Sequence, residues 1–166
     1  MSTQTNKLKT LRGFVKDLKK IYEKHQQIKD FGFGFIEDVT FKNEGDTTTQ
    51  YPYLFVVPDI SNVGQNQLSY SVKLIMMDRV VNYTDENLLD IMSDMNQILQ
   101  DVISQFAFSY TQQDGDYTWT YEIDLPVQLQ PFADKFDDYV AGWFATITIT
   151  LGQGLDRCDA PFDSFE

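Results

Sequence analysis

The sequence predicts an α+β fold: a mainly antiparallel sheet of about five strands, a long helix packed on one face, and an amphipathic helix at the N-terminus. Three observations lead there. Tyr139, Ala141, Trp143, Ala145, Ile147, Ile149 and Leu151 alternate with Thr146, Thr148 and Thr150, the period of a strand. Leu88, Leu89, Ile91, Met92, Met95, Ile98, Leu99, Val102, Ile103 and Phe106 recur at helical spacing behind Thr84, a natural N-cap followed by Asp85 and Glu86. Leu8, Leu11, Val15, Leu18 and Tyr22 step by three and four residues along a lysine-rich segment.

In chain order, the first helix is expected from Lys7 to Ile28, with Gly13 inside it at a cost of up to about 1 kcal/mol relative to alanine. Phe31-Gly-Phe-Gly-Phe ends it and opens a strand running through Ile36 to Phe41, and the polar stretch Asn43 to Gln50 reads as a hairpin loop. Tyr51 to Val57 is apolar on both parities, a strand covered on both faces that Pro58 stops; Ser61 to Gln67 reads as a loop. The strand Ser69 to Asp78 begins half-exposed, Tyr70 alternating with Ser71, and ends buried at Ile75, Met76 and Met77. The second helix spans Asp85 to Phe106. After the turn signal Asp114-Gly115 comes an aromatic strand carrying Tyr117, Trp119, Tyr121, Ile123 and Leu125, then an irregular crossing with Pro126, Pro131 and the acidic run Asp134 to Asp138. The long strand Tyr139 to Leu151 closes a single domain, 1–151, and residues 152–166 form a tail.

The chain has 166 residues, with 42% hydrophobic and 23% charged, a composition that supports one globular core without disulfide or metal staples. Its apolar runs fall far short of the roughly 20 residues that span a bilayer, and no signal-peptide core precedes the first helix. A single cysteine points to a reducing, intracellular setting. The net charge of -12 is divided unevenly. Residues 1–29 hold eight basic residues against Asp17 and Glu23, a balance of +6, and the rest of the chain stands at -18. Such a body repels polyanions, so general nucleic-acid binding is disfavoured outside the first segment. The basic helix therefore faces an anionic partner, or lies on the acidic surface of its own or a neighbouring copy. The exposed side of the second helix, with Asp90, Asp94, Gln97 and Asp101 and no cation, is a seat for a basic helix.

Catalytic constellations are thin. His25, the only histidine, reads as a solvated residue near the negative end of the first helix, and Cys158 as a small packed thiol. No serine, histidine and acid fall into an acyl-transfer motif, and the glycines of Phe31-Gly-Phe-Gly-Phe precede a strand where a phosphate cradle needs a helix start. Asp134, Asp137 and Asp138 could gather around a divalent cation, but the spaced glycine and closing glutamate of a calcium loop are missing. The sequence is read as a non-enzyme with no cofactor.

In the order of these elements, and in the closing strand Asp138-Tyr-Val-Ala-Gly-Trp-Phe-Ala-Thr-Ile-Thr-Ile followed by Arg157-Cys-Asp-Ala-Pro, the chain resembles tailed-phage neck proteins of the tail-terminator or tail-completion group, similar to those of phages infecting Bacteroidetes. The resemblance implies a structural virion protein, assembled in the host cytoplasm, that forms a homo-oligomeric ring, commonly a hexamer. The ring would cap the tail tube and join it to the head connector, with double-stranded DNA only as passing cargo. The family supplies no catalytic residues. From charge alone, the expected subunit interface sets Lys16, Lys19, Lys20 and Lys24 against Asp90, Asp94 and Asp101 of a neighbour, with Phe162 and Phe165 as tail anchors. The alternative is a soluble domain whose aromatic sheet residues Tyr117, Trp119, Tyr121 and Trp143 hold a small apolar ligand.

Overall fold

The computed structural model describes residues 10–37, 49–107, 122–135 and 139–151. The described chain runs α1 (Leu11–Lys24), β1 (Asp30–Phe33), β2 (Tyr53–Val63), β3 (Leu68–Arg79), α2 (Asp85–Ala107), β4 (Glu122–Ile123), β5 (Leu129–Lys135) and β6 (Tyr139–Leu151). It is the expected α+β architecture, an open and mostly antiparallel sheet with the long helix across one face.

Both helices begin at a threonine. The Thr10 hydroxyl accepts the Gly13 N–H at 3.2 Å, and the Thr84 hydroxyl accepts the Asn87 N–H at 3.3 Å. Asp85 and Glu86 then place negative charge in the first turn of α2, where it opposes the positive helix end. The leading helix is shorter than its apolar spacing suggests. Backbone extension at His25 (ψ 127°) ends it, with the His25 N–H bonded back to Ile21 and Tyr22 carbonyls, so Gln26 to Ile28 leave the helix and Ile28 is buried from the connection to β1.

The sheet order is β1-β2-β3-β6, with β4 and β5 both paired to the outer edge of β6. Ile123 lies opposite Ile149 and Leu129 opposite Ala145, so five residues on one side face three on the other. β4 and β5 are thus two halves of one interrupted edge with Pro126 in the excess, which gives five strand positions. β3 and β6 form the long central ladder, from Leu68 opposite Leu151 to Arg79 opposite Val140. At Gly142 the two strands run so close that a Cβ would collide with the Met76 carbonyl, so no side chain fits there.

Three expectations are corrected at the sheet's edges. β1 stops at Phe33 and pairs with β2 in parallel, so β1 and β2 are not the two arms of a hairpin. Phe35 and Ile36 stand exposed after it; the remainder of that expected strand, and most of the loop after it, fall outside the described residues. Pro58 does not end β2, which continues to Val63 with an irregular register between Pro58 and Ser61. β1 reaches only as far as Val56, so beyond it Pro58 sits on an outer edge where its missing N–H deprives no described strand of a bond. Pro131 is likewise tolerated in β5, where Leu129–Lys135 is regular strand and not an irregular crossing.

Side-chain alternation sorts the sheet into two faces. Leu54, Val56, Val72, Leu74, Met76, Ala141, Ala145, Ile147 and Ile149 join Phe14, Leu18 and the buried face of α2 in the main core. Tyr53, Phe55, Ile75, Met77 and Val140 form a smaller buried cluster on the opposite face. α2 packs across β3, β6 and β4, and α1 lies beside it against β1. The Phe14 and Phe106 rings meet edge to face at 5.0 Å, and Tyr22 stacks on Phe31 at 5.6 Å. The Trp143 indole N–H donates to the Met92 carbonyl at 2.7 Å and ties β6 to α2. No described helix is long and apolar enough to cross a membrane.

Candidate interaction surface

The two helices share one layer and turn outer faces of opposite sign away from the core. On α1, Phe14, Leu18 and Ile21 point inward, and Arg12, Lys16, Lys19, Glu23 and Lys24 are exposed. At about 100° per residue, Arg12, Lys16 and Lys19 fall on one crest, which Glu23 continues one turn on, with Lys20 and Lys24 rotated toward a flank. Lys20 is half-exposed and pairs with Asp17 at 3.7 Å. Arg12, Lys16, Lys19 and Lys24 form no ion pair among the described residues.

On α2 the outer face carries Asp85, Glu86, Asp90, Asp94 and Asp101, all exposed, and the helix contains no lysine, arginine or histidine. Asp101 is engaged within the chain: its Oδ2 lies 3.3 Å from His25 Nε2. His25 Nδ1 accepts the Gln27 N–H at 3.2 Å, so in the neutral ring Nε2 carries the proton and donates it to Asp101. His25 is therefore a clasp between the end of α1 and the middle of α2, and not the solvated residue its sequence neighbours suggest. Asp78, on the helix-facing side of β3, is half-buried next to this stripe. Burial pushes its carboxyl above the ordinary range, the Arg79 N–H at 2.7 Å opposes that, and the nearby Asp94 charge adds to it.

The acidic stripe begins beside exposed apolar residues. Val81 is 72% exposed, Tyr83 73% and Leu89 69%, all around the start of α2. The Asn87 side chain donates to the Asn82 carbonyl at 2.8 Å and fixes the entry to the helix, and Tyr83 packs at 5.2 Å against the Tyr139 ring.

Of the sequence-derived interface residues, the structure thus places Lys16, Lys19, Asp90 and Asp94 outward without ion pairs among the described residues, gives Lys20 and Asp101 partners within the chain, and rotates Lys24 off the crest. Phe162 and Phe165 lie outside the described residues, as do Cys158, Asp137 and Asp138; Asp134 is exposed on β5. Among the described residues no cluster of three histidine, cysteine, aspartate or glutamate side chains could hold a metal ion. Of the aromatic residues expected to hold a ligand, Tyr117, Trp119 and Tyr121 are outside the described residues, and Trp143 faces the helix layer with its N–H committed to Met92. A shallow open groove of about 270 Å³ exists on the other face, lined by Pro126, Gln128, Gln130, Phe144 and Thr146, with the Lys73 ammonium 5.1 Å from the Phe144 ring.

The outer residues of α1 and α2 make an electrostatic surface suited to a partner carrying both signs. No protein-family model matches the chain, and no curated protein matches it.

Proposed function

We propose that this chain is a structural protein that works by self-assembly, as a ring at the head–tail junction of a tailed phage that caps the tail tube and joins it to the head connector. One observation carries the assembly: the helix layer presents a cationic crest on α1 and an anionic stripe on α2, whose charges are largely unpaired among the described residues. Two unlike faces on one molecule favour a head-to-tail contact, and repetition of such a contact closes a ring when the rotation permits. The neck assignment itself is supported by the resemblance of the closing strand and the segment after it. A strongly acidic body suits a lumen through which DNA passes without adhering.

Native mass measurement of the purified protein, with electron microscopy of any assembled species, tests this function. Annular particles at a whole-number multiple of 19.2 kDa are expected. A species that stays at 19.2 kDa at every concentration and salt would remove it. A small-ligand-binding domain is the second reading, and its one structural support is the groove at Phe144.

A further inference from the structure

We infer that the contact between copies is one helix on another: the Arg12, Lys16 and Lys19 crest of α1 in one copy docks on the first three turns of α2 in the next, along Glu86, Asp90 and Asp94. The inference rests on the self-assembly proposed above and names the surface that performs it.

The spacing of the two rows supports the match. At about 1.5 Å per residue, Arg12 to Lys19 spans roughly 10 Å and Glu86 to Asp94 roughly 12 Å, a difference that long lysine and arginine side chains absorb. Among the described residues, neither row includes one already in an ion pair, since Lys20 is held by Asp17 and Asp101 by His25. The apolar borders agree as well. Leu89 stands exposed beside Glu86 and Asp90, with Val81 and Tyr83 just before the helix. Leu11, Val15 and Tyr22 form a half-buried flank next to Arg12 and Lys19. A polyanion would satisfy α1 and leave α2 unoccupied, whereas a second copy satisfies both and presents the same pair of faces again.

The open sheet edges are poor rivals for this contact. Pro58 withholds a backbone donor on the edge of β2, the Asp59 carboxylate accepts the Ile60 N–H at 2.9 Å beside it, and Pro131 does on β5 what Pro58 does on β2. A single helix-on-helix contact buries less than the roughly 1,200–2,000 Å² of a stable interface, so each copy needs both of its faces engaged and the assembly is salt-sensitive.

Charge exchange in the full-length chain tests the inference by sedimentation velocity at low salt. Lys16→Glu with Lys19→Glu turns the α1 row net acidic, like the α2 row it meets; Glu86→Lys with Asp90→Lys turns the α2 row net basic, like the α1 row. Each double variant alone is expected to weaken self-association by about tenfold or more, because rows of like net charge then face each other. An equimolar mixture of the two restores association, since each variant's α1 now opposes the other's α2, and a chain carrying all four substitutions assembles with itself. All four positions are exposed, and circular dichroism confirms the fold of each variant. If the wild type assembles and both double variants assemble equally well, or their mixture stays dissociated, this contact is wrong and the ring proposal stands. If the wild type never assembles, both fall.

Discussion

The two helices bury their apolar faces in one core but are held there by different means. α2 is 23 residues long, lies across three strand positions, opens with acidic residues that favour its N-terminus, and is tied to β6 by the Trp143 hydrogen bond. α1 has 14 residues, no acid in its first turn, and rests on the short strand β1 and the C-terminal half of α2. Inner faces decide where each helix sits. The outer faces, basic on one and acidic on the other, add little to that placement, because exposed charges contribute at most about 1 kcal/mol per pair. Lys16, Lys19, Asp90 and Asp94 are thus charges the fold does not need, which leaves them available for the contact proposed above.

Deleting the ring that joins the helices gives the largest expected effect. Phe106 is buried on α2 and meets Phe14 edge to face, so Phe106→Ala should cost about 3–5 kcal/mol in denaturant unfolding, through lost transfer energy and a cavity beneath α1. A loss below about 1 kcal/mol would show that the helices do not share one core.

A smaller effect sharpens the contrast in how firmly each helix is held. Thr10→Ala removes the cap of α1 and should cost about 1 kcal/mol, with faster amide exchange confined to Leu11–Lys24. Thr84→Ala removes the matching cap of α2, yet exchange in the middle of that helix should stay slow, since its packing on β3 and β6 persists. Equal acceleration along both helices would mean that α1 is no more loosely attached than α2.

The sequence was most legible where a single period ran without competition. β6 spans Tyr139–Leu151 as its alternation predicts, and α2 begins at Asp85, where Thr84 and the acids after it set the N-terminus. It was least legible at the edges, because proline forbids a central strand but not an outer one, and no local pattern says which strand will be outermost. Pro58 and Pro131 both lie within such outer strands. The parallel pairing of β1 with β2 is likewise a choice of partner that alternation does not encode. At the candidate surface, the sign of each helix face was readable from composition. The pairing of His25 with Asp101 was not, since 76 residues separate them and only the crossing of the helices brings them together.

The smallest expected effect concerns the acidic side of the comparison and fixes its pH dependence. Burial, the larger cause, and the Asp94 charge raise the Asp78 carboxyl above its ordinary range in the folded chain, against the lowering effect of the Arg79 N–H. The folded state therefore favours the protonated acid, and the stability associated with it is present below the unfolded value of 3.8 and is lost as pH rises through the folded pKa. Asp78→Asn keeps an oxygen that accepts the Arg79 N–H and removes the charge that burial penalises. The variant should melt above the wild type at neutral pH, with the gain shrinking toward zero as pH falls below the ordinary carboxylate range. Removing the second cause by Asp94→Asn should give a smaller gain of the same sign, because the exposed Asp94 acts on Asp78 only through solvent-screened charge. A pH-independent gain, or a loss at neutral pH, would mean that Asp78 is ionised in the fold at no cost, and that the stripe on α2 does not extend its influence into the layer below.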